Sequence, residues 1–141
     1  MNLSKKDICA VPQEAVDNAM EAKVSGVDLS KNRISEFPIS LEPLLPQISQ
    51  LDVSFNRLET VPPLIGLATN LQYLNLSNNK LKQLPDELSL MSQLRELCIS
   101  FNKFESIPSC VYNIARLEIL VAATNQVKKV LEKILCFVKF L

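Results

Sequence analysis

The side chains in this chain with the chemistry to hold a partner recur at a fixed interval. Asp28, Asp52, Asn75, Cys98 and Val121 follow one another at steps of 24, 23, 23 and 23 residues. Two positions earlier run Gly26, Gln50, Tyr73, Glu96 and Ile119, and two positions later run Ser30, Ser54, Ser77, Ser100 and Ala123. Alternation at period two puts each such triplet on one face of a short strand, so each row becomes a line of outward side chains crossing successive strands. Carboxylates at positions 28 and 52 suit a partner's Arg or Lys, while Tyr73, Ile119 and Val121 supply apolar anchors. The rows grow more apolar toward the C-terminal end. A second line, Arg33, Arg57, Lys80 and Lys103, forms a basic edge suited to an acidic partner or a phosphate. Glu36, Glu59 and Glu105 stand as its counterweights in a solvated rim. The expected protein-binding set is therefore Asp28, Arg33, Gln50, Asp52, Arg57, Tyr73, Asn75, Lys80, Glu96, Lys103, Ile119 and Val121.

Catalysis finds little support. The chain has no histidine, so the usual general base and the commonest metal ligand are missing. Its two glycines, Gly26 and Gly66, are too far apart to form a phosphate cradle. Cys98 points outward from a strand with no evident base beside it, so it reads as a surface thiol rather than a nucleophile. The four cysteines show no C-x-x-C pair. Cys9 and Cys98 belong to layers four apart at ~4.8 Å per layer, beyond the ~7 Å reach of a disulfide. All four are expected to be free thiols. No enzyme activity, metal or cofactor is expected.

The elements that position these residues follow from one repeating stretch. Leu71, Leu74, Leu76, Asn79 and Leu81 fill the pattern L-x-x-L-x-L-x-x-N-x-L, and Pro85 then breaks the chain before Leu88. The same asparagine recurs at Asn32, Asn56, Asn102 and Asn125, and the proline at Pro38, Pro62 and Pro108. A single unit cannot bury its leucines, so copies must stack. Each strand should end where the asparagine turns inward and satisfies backbone groups of its own turn and of the next layer. The proline then starts a return segment, with Asp86 and Glu87 favouring a helical turn there. Phe55 and Phe101, just before the asparagine in alternate layers, read as stacking residues.

The segments VDLSKNRISEFP, LDVSFNRLETVP, LRELCISFNKFESIP and VYNIARLEILVAATNQV carry a resemblance to the leucine-rich repeat family, in its intracellular L-P-containing subclass. That resemblance implies an α/β architecture: a curved solenoid with a parallel β-sheet on its concave side and short helical or irregular return segments on its convex side. It also implies a non-catalytic protein-interaction module that reads a protein partner with its concave strands. A regulatory or scaffold piece of a signalling enzyme complex is the alternative, because similar repeats sit beside enzyme segments. Residues 1–127 are expected to form the repeat domain, with a partial first repeat over 1–23 and further repeats starting near 24, 48, 71, 94 and 117. In the partial repeat Lys6 occupies the asparagine position, and 13–23 reads as a helix entered through Pro12.

Composition narrows the partner. Fifteen basic residues against fifteen acidic ones give zero formal charge, which disfavours nucleic acid. No apolar run reaches membrane-span length, and the first fifteen residues lack a secretory core. A cytoplasmic location is expected, with the nucleus as a second possibility, and the N-x-S triplets at Asn2 and Asn75 are expected to stay unmodified. Residues 128–141 leave the pattern. Their apolar residues fall at helical spacing, so they are expected to form an apolar C-terminal helix. That helix would pack on the last layer, leaving the protein monomeric or weakly self-associating through its open C-terminal end. Peripheral membrane association through the same segment is a further alternative, although a membrane role is disfavoured.

Overall fold

Six parallel strands form one sheet in chain order, β1 Gly26–Asp28, β2 Gln50–Asp52, β3 Tyr73–Asn75, β4 Glu96–Cys98, β5 Ile119–Val121 and β6 Lys139–Phe140. The computed structural model describes residues 1–126 and the backbone of β6. Register is strict: Gly26, Gln50, Tyr73, Glu96 and Ile119 are successive partners, as are Asp28, Asp52, Asn75, Cys98 and Val121. The middle residue of each strand, Val27, Leu51, Leu74, Leu97 and Leu120, is buried, while its two neighbours face outward. A parallel bridge between Asn2 and Asp28 and the bond from the Leu3 amide to the Asp28 carbonyl stack the N-terminal residues onto β1. Three of the thiols, Cys9, Cys98 and Cys110, are free.

Each layer returns through a short segment opened by proline. The carbonyls of Pro38, Pro62, Pro85 and Pro108 accept from the amides of Leu41, Ile65, Leu88 and Val111 at 3.0–3.1 Å. The segments are 3₁₀ turns, Ile39–Leu44, Pro63–Leu67, Asp86–Leu90 and Ser109–Asn113, as suits runs of this length. The first layer has three more residues between its prolines (Pro12 to Pro38) and spends them on a true helix, α1 Gln13–Glu21. Val16 and Ala19 are its buried residues. Past its end, Lys23 with a φ of 49° closes the helix, and the Val24 and Lys23 amides donate back to the Ala19 and Met20 carbonyls.

The core is one continuous column of Leu, Ile and Val with Phe104 the largest fully buried side chain. Its polar members are the asparagines Asn32, Asn79 and Asn102 and the serines Ser54, Ser77 and Ser100. Asn79 donates from Nδ2 to the carbonyls of Val53, Leu76 and Ser77, and its Oδ1 accepts from the Leu58 amide at 2.9 Å. Asn56 and Asn102 repeat this pattern one layer either side. The layer reached is therefore the preceding one, not the next. The reason lies in the residue before each asparagine: Lys31, Phe55, Asn78, Phe101 and Thr124 all have φ between 52° and 58°. This left-handed kink turns the chain out of the strand and the asparagine side chain back toward the preceding layer. The kinked residue's own amide points forward, from Phe55 to the Ser77 carbonyl, as the strand amides of Leu29, Val53 and Leu76 also do.

The expected helix over 128–141 lies outside the described residues except at its end. There Lys139–Phe140 is a strand paired with Ile119–Leu120, so the expected helix is corrected at those two residues. The edge of β5 presents unpaired amides and carbonyls, and a strand satisfies them where a helix packed on side chains would not.

Cys110 is buried in the fourth return turn. Burial, and secondarily the Asp86 carboxylate, pushes its thiol up to about 11, against a smaller opposing pull from backbone amides. The thiol is then neutral at pH 7 and should react with iodoacetamide far more slowly than exposed Cys9. Because the folded state holds this proton more tightly than the unfolded chain, the contribution is complete below about pH 9. It is lost as pH rises toward about 11. Urea unfolding of wild type and Cys110→Ala between pH 8 and 11 checks this, with the shallower alkaline decline expected in the variant.

Candidate functional site

The outward residues of β1 to β5 form one surface. Gly26, Tyr73, Glu96 and Ile119 are half-buried and Gln50 is exposed, and the second row, Asp28 through Val121, is half-buried throughout. Two shallow depressions meet at Tyr73. One, of about 390 Å³, is lined by Asn2, Gly26, Asp28, Gln50, Asp52 and Tyr73 among others. The other, of about 450 Å³, lies between Gln50, Tyr73, Arg95, Glu96, Glu118 and Ile119. Arg95 and Glu118, exposed residues of adjacent layers, pair at 2.6 Å along its rim; the sequence alone gave no reason to join them.

The sheet-face acids also hold the turn. Asp28 Oδ1 accepts from the Ser30 amide at 2.9 Å, Asp52 Oδ1 from Ser54 at 2.8 Å, and Asn75 Oδ1 from Ser77 at 3.1 Å. Asn2 does the same for Ser4. These are Asx turns, and they close each strand. Charge reversal at Asp28 or Asp52 would therefore remove a turn cap along with the charge. Asparagine removes the charge and keeps the cap, although at Asp52 it also gives up the Oδ2 that accepts from the Asn75 side-chain amide at 3.1 Å.

The pattern stops at β4 and β5, where Cys98 and Val121 carry no such acceptor. At Cys98 no amide or carboxylate is available, and the Ser100 hydroxyl is buried without a partner, whereas its counterpart in Ser77 donates to Asn75 Oδ1 at 2.8 Å. Cys98→Asn should restore both bonds and raise stability by about 1 kcal/mol. Urea denaturation checks it, with Cys98→Ala as a control expected to show no gain. A Cys98→Asn protein no more stable than Cys98→Ala would contradict this account of the orphaned hydroxyl.

The basic positions lie apart from this face. Arg33, Arg57, Lys80 and Lys103 are exposed residues following the inward asparagines. Arg33 pairs with Asp7 rather than with Glu36, and Lys80 approaches Glu59 at 4.0 Å. These exposed pairs contribute little. The structure thus groups Asp28, Gln50, Asp52, Tyr73, Asn75, Glu96, Ile119 and Val121 on one sheet face and leaves the four cations on a neighbouring edge. Phe55 and Phe101 are exposed on that edge too, and Phe55 lies under the Lys31 ammonium, 5.5 Å from ring centre.

Comparisons with known proteins agree with this architecture. A family model described as "Leucine rich repeat" matches residues 46–104 and 69–127, together more than half of the chain. Rat (Rattus norvegicus) osteomodulin is 33% identical over 87 residues, covering 60% of this chain and 20% of its own length. Chicken (Gallus gallus) Tsukushi is 33% identical over 84 residues, covering 60% and 22%. The chain thus spans about a fifth of the length of these relatives. Among solved structures, a leucine-rich repeat protein of Leptospira interrogans superposes over all of this chain and 36% of its own, with a TM-score of 0.86 at 25% identity. An internalin from Listeria monocytogenes covers 93% and 37%, with a TM-score of 0.72 at 18% identity. Domains of this kind generally mediate protein–protein interaction. The repeat of asparagine, proline and strand, the parallel sheet and the matching family model lead to one conclusion: this chain belongs to the leucine-rich repeat family.

Proposed function

We propose that the chain is a non-catalytic protein-interaction module whose partner docks across the concave sheet face. The observation that carries this reading is the uncovered pair of outward rows, where polar, aromatic and apolar side chains converge on two adjoining depressions. Side chains there rise from short strands fixed on both sides by the ladder, so a partner meets a pre-organised surface. The basic edge serves as a rim that adjusts encounter rather than as the main contact. The free thiols Cys9, Cys98 and Cys110 suit a reducing compartment, and we place the protein in the cytosol. The L-P-containing return segments support an intracellular subclass within this reading, and several segments resemble leucine-rich repeat-containing protein 40. Neither nucleic acid nor cofactor enters this reading.

The experiment is comparative affinity capture from cytosolic extract with two folded variants. Gln50→Trp obstructs the centre of the concave face, and Leu90→Ser alters an exposed convex residue. Proteins captured by wild type and by Leu90→Ser but lost with Gln50→Trp support concave docking. The reverse pattern contradicts it.

A further inference from the structure

We infer that the anionic half of the concave face receives a basic segment, its arginine or lysine lying over the Tyr73 ring between Asp52 and Glu96, with an apolar residue farther along seated against Ile119. This rests on the concave face being the docking surface. It commits to one partner chemistry, and charge complementarity selects it.

Among the described residues, Asp28, Asp52 and Glu96 take part in no ion pair. Arg95, the cation lining the depression beside Tyr73, is held by Glu118, and Lys139 joins the row only beyond Ile119, three strands from Tyr73. The Met1 ammonium lines the first depression and donates to the Gly26 carbonyl at 2.7 Å, and its charge offsets one of these three carboxylates and leaves the others. The face therefore carries unbalanced negative charge around a half-buried aromatic ring. Tyr73 registers that field. Its hydroxyl holds its proton more tightly than an ordinary tyrosine because of burial, then the Asp52 and Glu96 carboxylates and Cys98, with the Asn75 amide opposing. Carboxylates that disfavour a phenolate favour a cation at the same place. A neutral phenol ring, walled on two sides by depressions, offers the face that a guanidinium or ammonium prefers.

Geometry extends this to a spacing. Tyr73 and Ile119 occupy the same row two strands apart, or ~9.6 Å at ~4.8 Å per strand. A segment crossing the strands in polyproline II conformation advances ~3.1 Å per residue and presents every third side chain to the same side, so the apolar residue falls about three positions from the basic one. Glu96 lies between them in the row, and Val121 flanks Ile119.

The test is selection from a displayed library of random peptides against wild type, followed by affinity measurement at low salt on three variants. Asp28→Asn/Asp52→Asn/Glu96→Gln removes charge while keeping the Asx turns, as Asn75 does natively. Tyr73→Leu keeps bulk without the ring's quadrupole, and Gln50→Trp obstructs the face. Unfolding midpoints confirm that each variant is folded. Enriched peptides should carry Arg or Lys about three residues from Leu, Ile, Val or Phe. They should bind the charge-neutral variant at least tenfold more weakly, and Tyr73→Leu several-fold more weakly. Enriched peptides that lack a basic residue, or that bind the charge-neutral variant unchanged, would overturn the basic anchor. If Gln50→Trp still blocked those peptides, concave docking would stand without it. Peptides indifferent to Gln50→Trp, or no enrichment at all, would overturn both.

Discussion

Replacing Asn79 with leucine is expected to destabilise the domain by roughly 3–5 kcal/mol, although leucine is the more apolar side chain. Asn79 is only 8% exposed and satisfies four backbone groups: it accepts from the Leu58 amide and donates to the Val53, Leu76 and Ser77 carbonyls. Leucine would leave the Leu58 amide without a partner in a site closed to water, at a cost of about 1–3 kcal/mol. It would also remove one bond, worth about 0.5–1.5 kcal/mol, from each of the Val53, Leu76 and Ser77 carbonyls, which keep Asn56 Nδ2, Asn102 Nδ2 and the Phe55 amide as donors. Burial of the new side chain returns at most about 1.5–3 kcal/mol, and the pocket shaped for a planar amide does not accept a branched tip without strain. Two layers lose a connection, because the amide spans them. Equilibrium urea unfolding measures the effect, and a loss below about 1 kcal/mol would show that water or relaxed geometry replaces the amide.

Phe104→Ala is expected to cost about 3–5 kcal/mol, and Phe104→Leu less than about 1.5 kcal/mol. Phe104 is fully buried and occupies the position that Ile34, Leu58 and Leu81 fill in other layers, two residues after the asparagine. Alanine there leaves a cavity between stacked layers that neighbouring strands cannot close, since the ladder fixes their spacing. Leucine is the residue the neighbouring layers already use. The ratio of the two effects, read from the same unfolding curves, separates a packing role from any special need for an aromatic ring. Equal losses would contradict the packing account.

Much of the fold was legible because the period fixes everything that depends on a residue's place within one layer. The buried strand centres Leu51, Leu74 and Leu97, the prolines that open the return turns, and the outward rows through Gly26 and Asp28 follow from alternation and spacing. The serine row, expected to face outward too, is instead buried at Ser54, Ser77 and Ser100. Features that depend on how two layers meet were not legible. Phe55 and Phe101 give no hint of a left-handed backbone, since glycine is the usual marker for it and Asn78 alone is a customary occupant. Without that kink, the direction of the asparagine bonds reads equally well toward either neighbouring layer. The Asx turns at Asp28 and Asp52 were hidden behind a plausible role as free carboxylates. The pairing of Arg33 with Asp7 rather than Glu36 depends on the path of the N-terminal residues, which depart from the repeat at Lys6. At the C-terminal end, apolar spacing suggested a helix, and the strand at Lys139–Phe140 answers to an open sheet edge that no local pattern reveals.

Docking across the concave face is tested most directly by photo-cross-linking in cells. A benzophenone amino acid would be placed singly at Gln50 and Glu96 on the sheet, at Arg57 on the basic edge, and at Leu90 on the convex side. Adducts to a common partner protein should form from positions 50 and 96, weakly from 57, and not from 90. Adducts confined to positions 57 or 90, with none from the sheet, would contradict a concave binding surface.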